Sequence, residues 1–172
     1  MSPVEADVEL RYADTAAELR IIEPLWNALQ EHHSQIEPML AGSTPKRDLP
    51  DAWELRRAKY ESWLKDPDAF FVLAEREREP VGYAFVTLGP GYASWATGSR
   101  LAELETLSVL PAYRGAGIGE ALLEAVWSRL ASLDVDDLAI TTATANIGSH
   151  RFYERHGFAK SFAVYYGRRG PA

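Results

Sequence analysis

The sequence has no cysteine, which excludes a disulfide framework, a thiolate metal site and a cysteine nucleophile. Long apolar runs are also missing, and none approaches the roughly 20 residues that cross a bilayer. The N-terminal stretch MSPVEADVELRYADT carries acidic residues and lacks the apolar core of a secretory signal. A cytoplasmic protein without a membrane partner is expected. There is no basic surplus either: the formal charge is −7 and the pI is near 5.1. A nucleic-acid binder normally needs a basic face to neutralise phosphates, so no such partner is expected. An acidic surface suits a cationic substrate and general solubility alike.

What remains is enough for a sizeable core. The chain has 172 residues, 47% of them apolar, and reads as one domain over residues 1–172. Val8 to Tyr12 alternate as a short first strand, and Thr15 and Glu18 have the spacing of a helix capping box. Ile22, Trp26 and Leu29 give the next helix an apolar stripe, with a break expected near Pro24. Glu37 to Pro50, with three prolines, reads as a mobile connection before a helix from Asp51 to Lys65. Trp53, Tyr60, Trp63 and Leu64 form the apolar side of that helix. Arg56 and Arg57 interrupt it, although their stems can lie along apolar surface.

A turn at Asp66–Asp68 leads to β-prone runs at Ala69–Ala74 and Val81–Leu88, which predict an antiparallel hairpin about the polar turn at 76–80. Leu101–Leu110 reads as a strand, Gly117–Ala131 as a helix and Leu138–Ala143 as a strand. A short helix at Ser149–Arg155 and a last β segment at Phe158–Gly167 complete the order. The expected fold class is α+β (mixed α/β): a single central mixed, largely antiparallel sheet flanked by helices.

The stretch Arg114-Gly115-Ala116-Gly117-Ile118-Gly119 lies between a strand and a helix, where backbone N–H groups and the helix dipole favour an anion. A tight structural turn is the plainer alternative. A dinucleotide fingerprint would need a third glycine where Glu120 stands, and the Gly-Lys-Ser/Thr ending of a P-loop is absent. The R-x-x-G-x-G turn, with Leu107 to Tyr113 before it, resembles the strand, loop and helix start of the GNAT N-acetyltransferases. A second block, NIGSHRFYERHGF at Asn146–Phe158, is similar to that family's Asn, Tyr and Gly-Phe positions. The two blocks cover roughly the C-terminal third of the chain.

The resemblance implies a GNAT-like fold and acetyl-CoA as co-substrate; no metal is expected, because the histidines complete no zinc pattern. It places the pantetheine arm along Leu107, Ser108 and Val109. The pyrophosphate falls on Arg114, Gly115, Ala116, Gly117, Ile118 and Gly119, with Glu120 at the margin. Asn146 faces the pantetheine or caps the following helix, and the two roles are compatible. The Val109 N–H is placed near the thioester carbonyl as oxyanion donor. Tyr153 matches the family's general acid, against the alternative of a packed tyrosine. For the base, Glu103 and Glu105 are read as alternating on one strand face with Leu107 and Val109, and Glu105 is preferred.

His32 and His33 are read as surface or capping residues at a helix end. His150 and His156, six apart, complete no zinc pattern. Tyr92, Trp95 and Trp26 receive no role. The function expected is transfer of an acetyl group to a primary amine, the partner being a small-molecule amine or a peptide amine. A catalytically silent acetyl-CoA-binding module and a protein or peptide N-acetyltransferase are the alternatives. A homodimer is left open.

Overall fold

The computed structural model describes residues 8–36 and 44–169. Five strands form one sheet in sequence order: β1 (Glu9–Ala13), β2 (Phe70–Arg76), β3 (Glu79–Pro90), β4 (Arg100–Val109) and β5 (Leu138–Ile140). The first four pair antiparallel, and β5 lies parallel to β4. Helices α1 (Leu19–Ser34) and α2 (Leu49–Trp63) cover one face; α3 (Ile118–Ser132) and α4 (Ile147–Arg155) cover the other. This is the mixed, largely antiparallel single sheet that the order of elements implies.

Alternation along the strands divides the core in two. Phe70, Val72, Ala84 and Val86 point to α3, where they meet Ile118, Leu122, Val126 and Leu130. Phe71, Leu73, Tyr83 and Phe85 point the other way, onto Ile22, Leu25 and Trp26 of α1 and Trp53 and Tyr60 of α2. The hairpin between β2 and β3 turns through Glu77 and Arg78, both at positive φ (53° and 68°), the geometry whose twist matches paired strands. Arg100 at the start of β4 donates to both Asp66 and Asp68, tying it to the turn before β2.

Several local readings change. The capping box does not close on both sides: Glu18 reaches back to the N-cap Thr15, but the Thr15 hydroxyl donates to the Glu18 carboxylate at 2.8 Å and does not cap the helix backbone. Helix α1 runs through Pro24 without a break. Both Pro24 and Arg20, whose carbonyl loses its usual donor, lie on the exposed side, so water can satisfy that carbonyl. The second helix starts earlier than expected, because Asp48 caps it by accepting from the Asp51 N–H at 2.9 Å and Pro50 fits its first turn. Of the connection expected at 37–50, residues 37–43 lie outside the described residues.

The last β segment is not a strand. Residues 158–169 have no regular structure, and Phe162, Val164 and Tyr165 are 71%, 82% and 93% exposed. Strand propensity measures how side chains fit a half-buried pleated surface, and no strand among the described residues pairs with this segment.

Candidate active site

Strand β4 organises the site. It pairs with β5 over only three positions, Ala102 with Leu138, Glu103 with Ala139 and Leu104 with Ile140. Beyond Leu104 the two strands part, and the β4 edge at 105–109 has no strand beside it among the described residues. Leu110 donates its N–H to Val81 across the β3 side at 2.9 Å. Backbone groups alternate along a strand, so the Leu107 and Val109 N–H groups point to the open edge.

The glycine turn follows directly. Gly115 and Gly117 both adopt left-handed φ (78° and 81°), and Gly117 is the N-cap of α3. A Cβ built on either would meet nothing within 4 Å, so the turn presents bare backbone to open space. A side chain there would be strained, and it would fill space in which the turn's N–H groups could hold an anion. The Arg114 Nε donates to the Val109 carbonyl at 3.0 Å, fixing the guanidinium between strand end and turn. Ala116 is exposed beside it, while Ile118 turns into the core. Glu120 lies in the first turn of α3, 3.7 Å from His156. These groups fit a diphosphate with an extended arm.

Helix α4 closes this side. A Cβ on Gly119 would come within 3.4 Å of the Phe152 ring and 4.0 Å of Leu107, so α3, α4 and β4 meet there closely. Asn146 is buried and caps α4, its Oδ1 accepting from the Ser149 N–H at 3.1 Å. Tyr153 packs between Phe152 and Phe158, at 5.3 and 5.7 Å. Burial pushes its hydroxyl up to about 12, so the phenol is protonated at any ordinary pH. The two histidines set aside as metal ligands bond to backbone: His150 of α4 has Nε2 3.1 Å from the Ala143 carbonyl, and His156 at the end of α4 has Nδ1 2.8 Å from the Phe152 carbonyl.

The carboxylates are not on the face expected for them. Phe85 pairs with Thr106 and Val86 with Leu104, leaving Glu105 as the extra residue of a β-bulge. The bulge reverses the alternation. Leu107 and Val109 pack on the α3 side with Leu104, whereas Thr106 reaches Tyr60 of α2. Glu105 turns to the α2 side as well, accepting a 2.8 Å hydrogen bond from Thr87. Glu103, opposite Thr87, is exposed. Burial raises the Glu105 pKa, the Thr87 bond opposes that, and Glu103 adds to it; Lys59 and Arg56 lower it.

Sequence reasoning missed the group surrounding Glu105. The Tyr60 hydroxyl lies 3.0 Å from Thr106 Oγ1 and 3.1 Å from the Tyr83 hydroxyl, all three buried. Arg56 sits over the Tyr60 and Trp63 rings at 5.2 and 5.8 Å, and Lys59 over Trp63 at 4.6 Å. The interrupted stripe of α2 was the one signal, and it did not say where the arginine leads. His32 and His33 lie in the last turn of α1, as expected of residues at a helix end, and both are half-buried. Burial first, then Arg114, lowers the His32 pKa; burial, then His32, Lys46 and Arg56, lowers that of His33. The end of α1 therefore lies within electrostatic reach of both Arg114 and Arg56. Trp26 packs on Trp53 in the core, Tyr92 stands against Phe162, and Trp95 is exposed.

This chain belongs to the acetyltransferase (GNAT) family, whose pattern it matches over residues 26–158. It is 35% identical over 107 residues to mycothiol acetyltransferase of Thermobispora bispora, covering 62% of this chain but 35% of that protein. It is 29% identical over 119 residues to aminoglycoside N(6')-acetyltransferase type 1 of Stenotrophomonas maltophilia, covering 69% of this chain and 78% of that one. The chain thus spans about a third of the one relative and most of the other. Its fold is similar to that of AAC(6')-Iy in complex with the bisubstrate analog CoA-S-monomethyl-acetylneamine. The TM-score is 0.67 at 20% identity, covering 95% of this chain and 99% of the other. No described helix is long and apolar enough to cross a membrane.

Proposed function

We propose that the chain transfers an acetyl group from acetyl-CoA to a primary amine by direct attack. The observation that carries this reading is the juxtaposition of the open β4 edge with the bare glycine turn that begins α3. An extended amide-bearing arm can add to that edge as a strand would, while its diphosphate takes the N–H groups of residues 115–119 and the Arg114 charge. The family membership and the CoA-containing analog bound by a protein of this fold support the same ligand. When bound, acetyl-CoA supplies the thioester.

The chain's residues then divide the proton work. Glu105 takes a proton from the acceptor ammonium, directly or through water, and its raised pKa brings it nearer the working pH than an ordinary carboxylate. The freed nitrogen bonds to the thioester carbon while the Val109 N–H donates to the carbonyl oxygen. The carbon–sulfur bond breaks, Tyr153 gives its proton to the leaving sulfur, and the nitrogen, cationic after attack, releases its second proton to solvent to leave the neutral amide. Solvent restores both groups. The base approaches from the α2 side and the acid from the α4 side, so the reacting atoms meet where β4 and β5 part.

A turnover assay of acetyl-CoA against small amines, amino acids and peptide N-termini tests this, read by release of free thiol. Acetylation of any amine supports the reading. Acetyl-CoA binding with no turnover on the whole panel would instead identify a silent binding module.

A further inference from the structure

The acceptor side carries opposite charges that do not pair with each other. Arg57 is committed, to Glu54 at 2.9 Å and Glu61 at 2.7 Å. Arg56 and Lys59 make no ion pair among the described residues; their cations rest on the Tyr60 and Trp63 rings instead. Tyr60 in turn reaches Thr106, the neighbour of Glu105 on β4. Glu105 binds Thr87, and no cation among the described residues comes within ion-pairing distance of it. The chain therefore sets two cations on the α2 rim and two carboxylates, Glu103 and Glu105, on the strand, close enough for Lys59 and Arg56 to act on Glu105 but apart.

A polycationic amine would find Glu105 but would also meet Arg56 and Lys59. A ligand with a cation at one end and an anion at the other satisfies both sets. A guanidinium fixed on ring faces is preorganised to bind a carboxylate with two parallel hydrogen bonds. We propose, building on the N-acetyltransferase reading, that the acceptor is an amino-carboxylate, an amino acid or short peptide. Its carboxylate is held by Arg56 and Lys59 while its amine faces Glu105.

The test compares each amino acid and dipeptide acceptor with its own carboxamide, alongside a polyamine, on the intact protein. The acid is expected to have a KM lower by about tenfold or more, the difference made by one charge-assisted contact. In Arg56→Gln that advantage should collapse toward one, the KM for the acid rising well beyond that for its carboxamide; Lys59→Gln should lose part of it. The wild-type comparison stands even if a variant fails to fold. Equal KM values for acid and amide, or acetylation of the polyamine in preference to every amino-carboxylate, would overturn the assignment while leaving the acetyltransferase reading intact. No turnover on any amine would remove both.

Discussion

The two faces of the sheet are built from different materials. Under α3 the buried core is mostly aliphatic, with Val72, Ala84, Val86, Leu122 and Val126, and the surface proposed for the co-substrate is main chain: an open strand edge and two left-handed glycines. Under α1 and α2 the core is aromatic, with Trp26, Trp53, Tyr60, Tyr83 and Phe85, and it carries buried hydroxyls and flanking charges. Backbone recognition suits a ligand that is always the same, because it needs only geometry from a short stretch of chain. Side-chain recognition suits one that differs among relatives. The bulge at Glu105 joins the two systems, since it lets one strand give its edge to the first and its carboxylate to the second.

If the division holds, removing the acid should leave the first face intact as a binding surface while stopping the chemistry. In Tyr153→Phe the ring contacts with Phe152 and Phe158 remain. Turnover is expected to fall about 10²- to 10⁴-fold, with acetyl-CoA affinity by calorimetry and the thermal midpoint unchanged. A thioester with a more acidic thiol should recover part of the loss. Wild-type turnover in the variant would make Tyr153 a packing residue.

Glu105→Gln probes the second face, and its signature is in the pH profile. A base at Glu105 would work only when ionised, and its raised pKa moves the rising limb of the wild-type profile upward. The variant should lose that limb. Its deficit, roughly 10²-fold, is largest between the carboxyl pKa and the pKa of the acceptor amine, and it closes above the latter, where the amine is already free. Acetyl-CoA affinity should hardly move. An equal deficit at every pH, or a larger one in Glu103→Gln, would assign the base elsewhere.

Gly117→Asp returns to the first face. It puts a side chain at φ 81° and a negative charge at the N-terminus of α3. Acetyl-CoA should bind about ten- to a hundredfold more weakly, from dipole and left-handed strain together. Gly117→Asn, which tolerates this φ better and has no charge, should lose much less. Equal losses in the two would show that strain, not charge, decides.

The same contrast explains what could be read in advance. The glycine turn, the strand before it and the Asn146 cap are local: their residues are neighbours in sequence, so spacing carried the geometry. Glu105 was legible as a carboxylate on β4 but not by face, because a bulge is a property of the pairing with β3 and leaves no mark in the strand itself. Thr106, Tyr60 and Tyr83 come from three separate elements, and Arg56 showed only as an irregularity in α2. Phe158–Gly167 misled for the converse reason, since its composition favours a strand but nothing in the sequence says whether a partner is adjacent.

The smallest effect expected is on stability, and it separates catalytic from structural purpose at Glu105. Burial is the largest influence on this carboxyl and raises its pKa above the unfolded value, so the folded chain holds the proton more tightly than the unfolded one. The stabilisation linked to that proton is complete below the unfolded carboxylate pKa of about 4 and is lost as pH rises through the higher folded value. At pH 7 the ionised group therefore weakens the fold. Glutamine keeps an oxygen to accept the Thr87 bond and carries no charge to desolvate. Glu105→Gln should raise the thermal midpoint at pH 7 by about 1–3 °C, a gain that shrinks to nothing as pH falls to about 4. A group retained at a cost to folding, in a position where an isosteric neutral side chain fits better, is retained for its chemistry. A midpoint that is lower in the variant at pH 7, or a difference independent of pH, would mean that the carboxylate is held there by Lys59 and Arg56 as part of the structure.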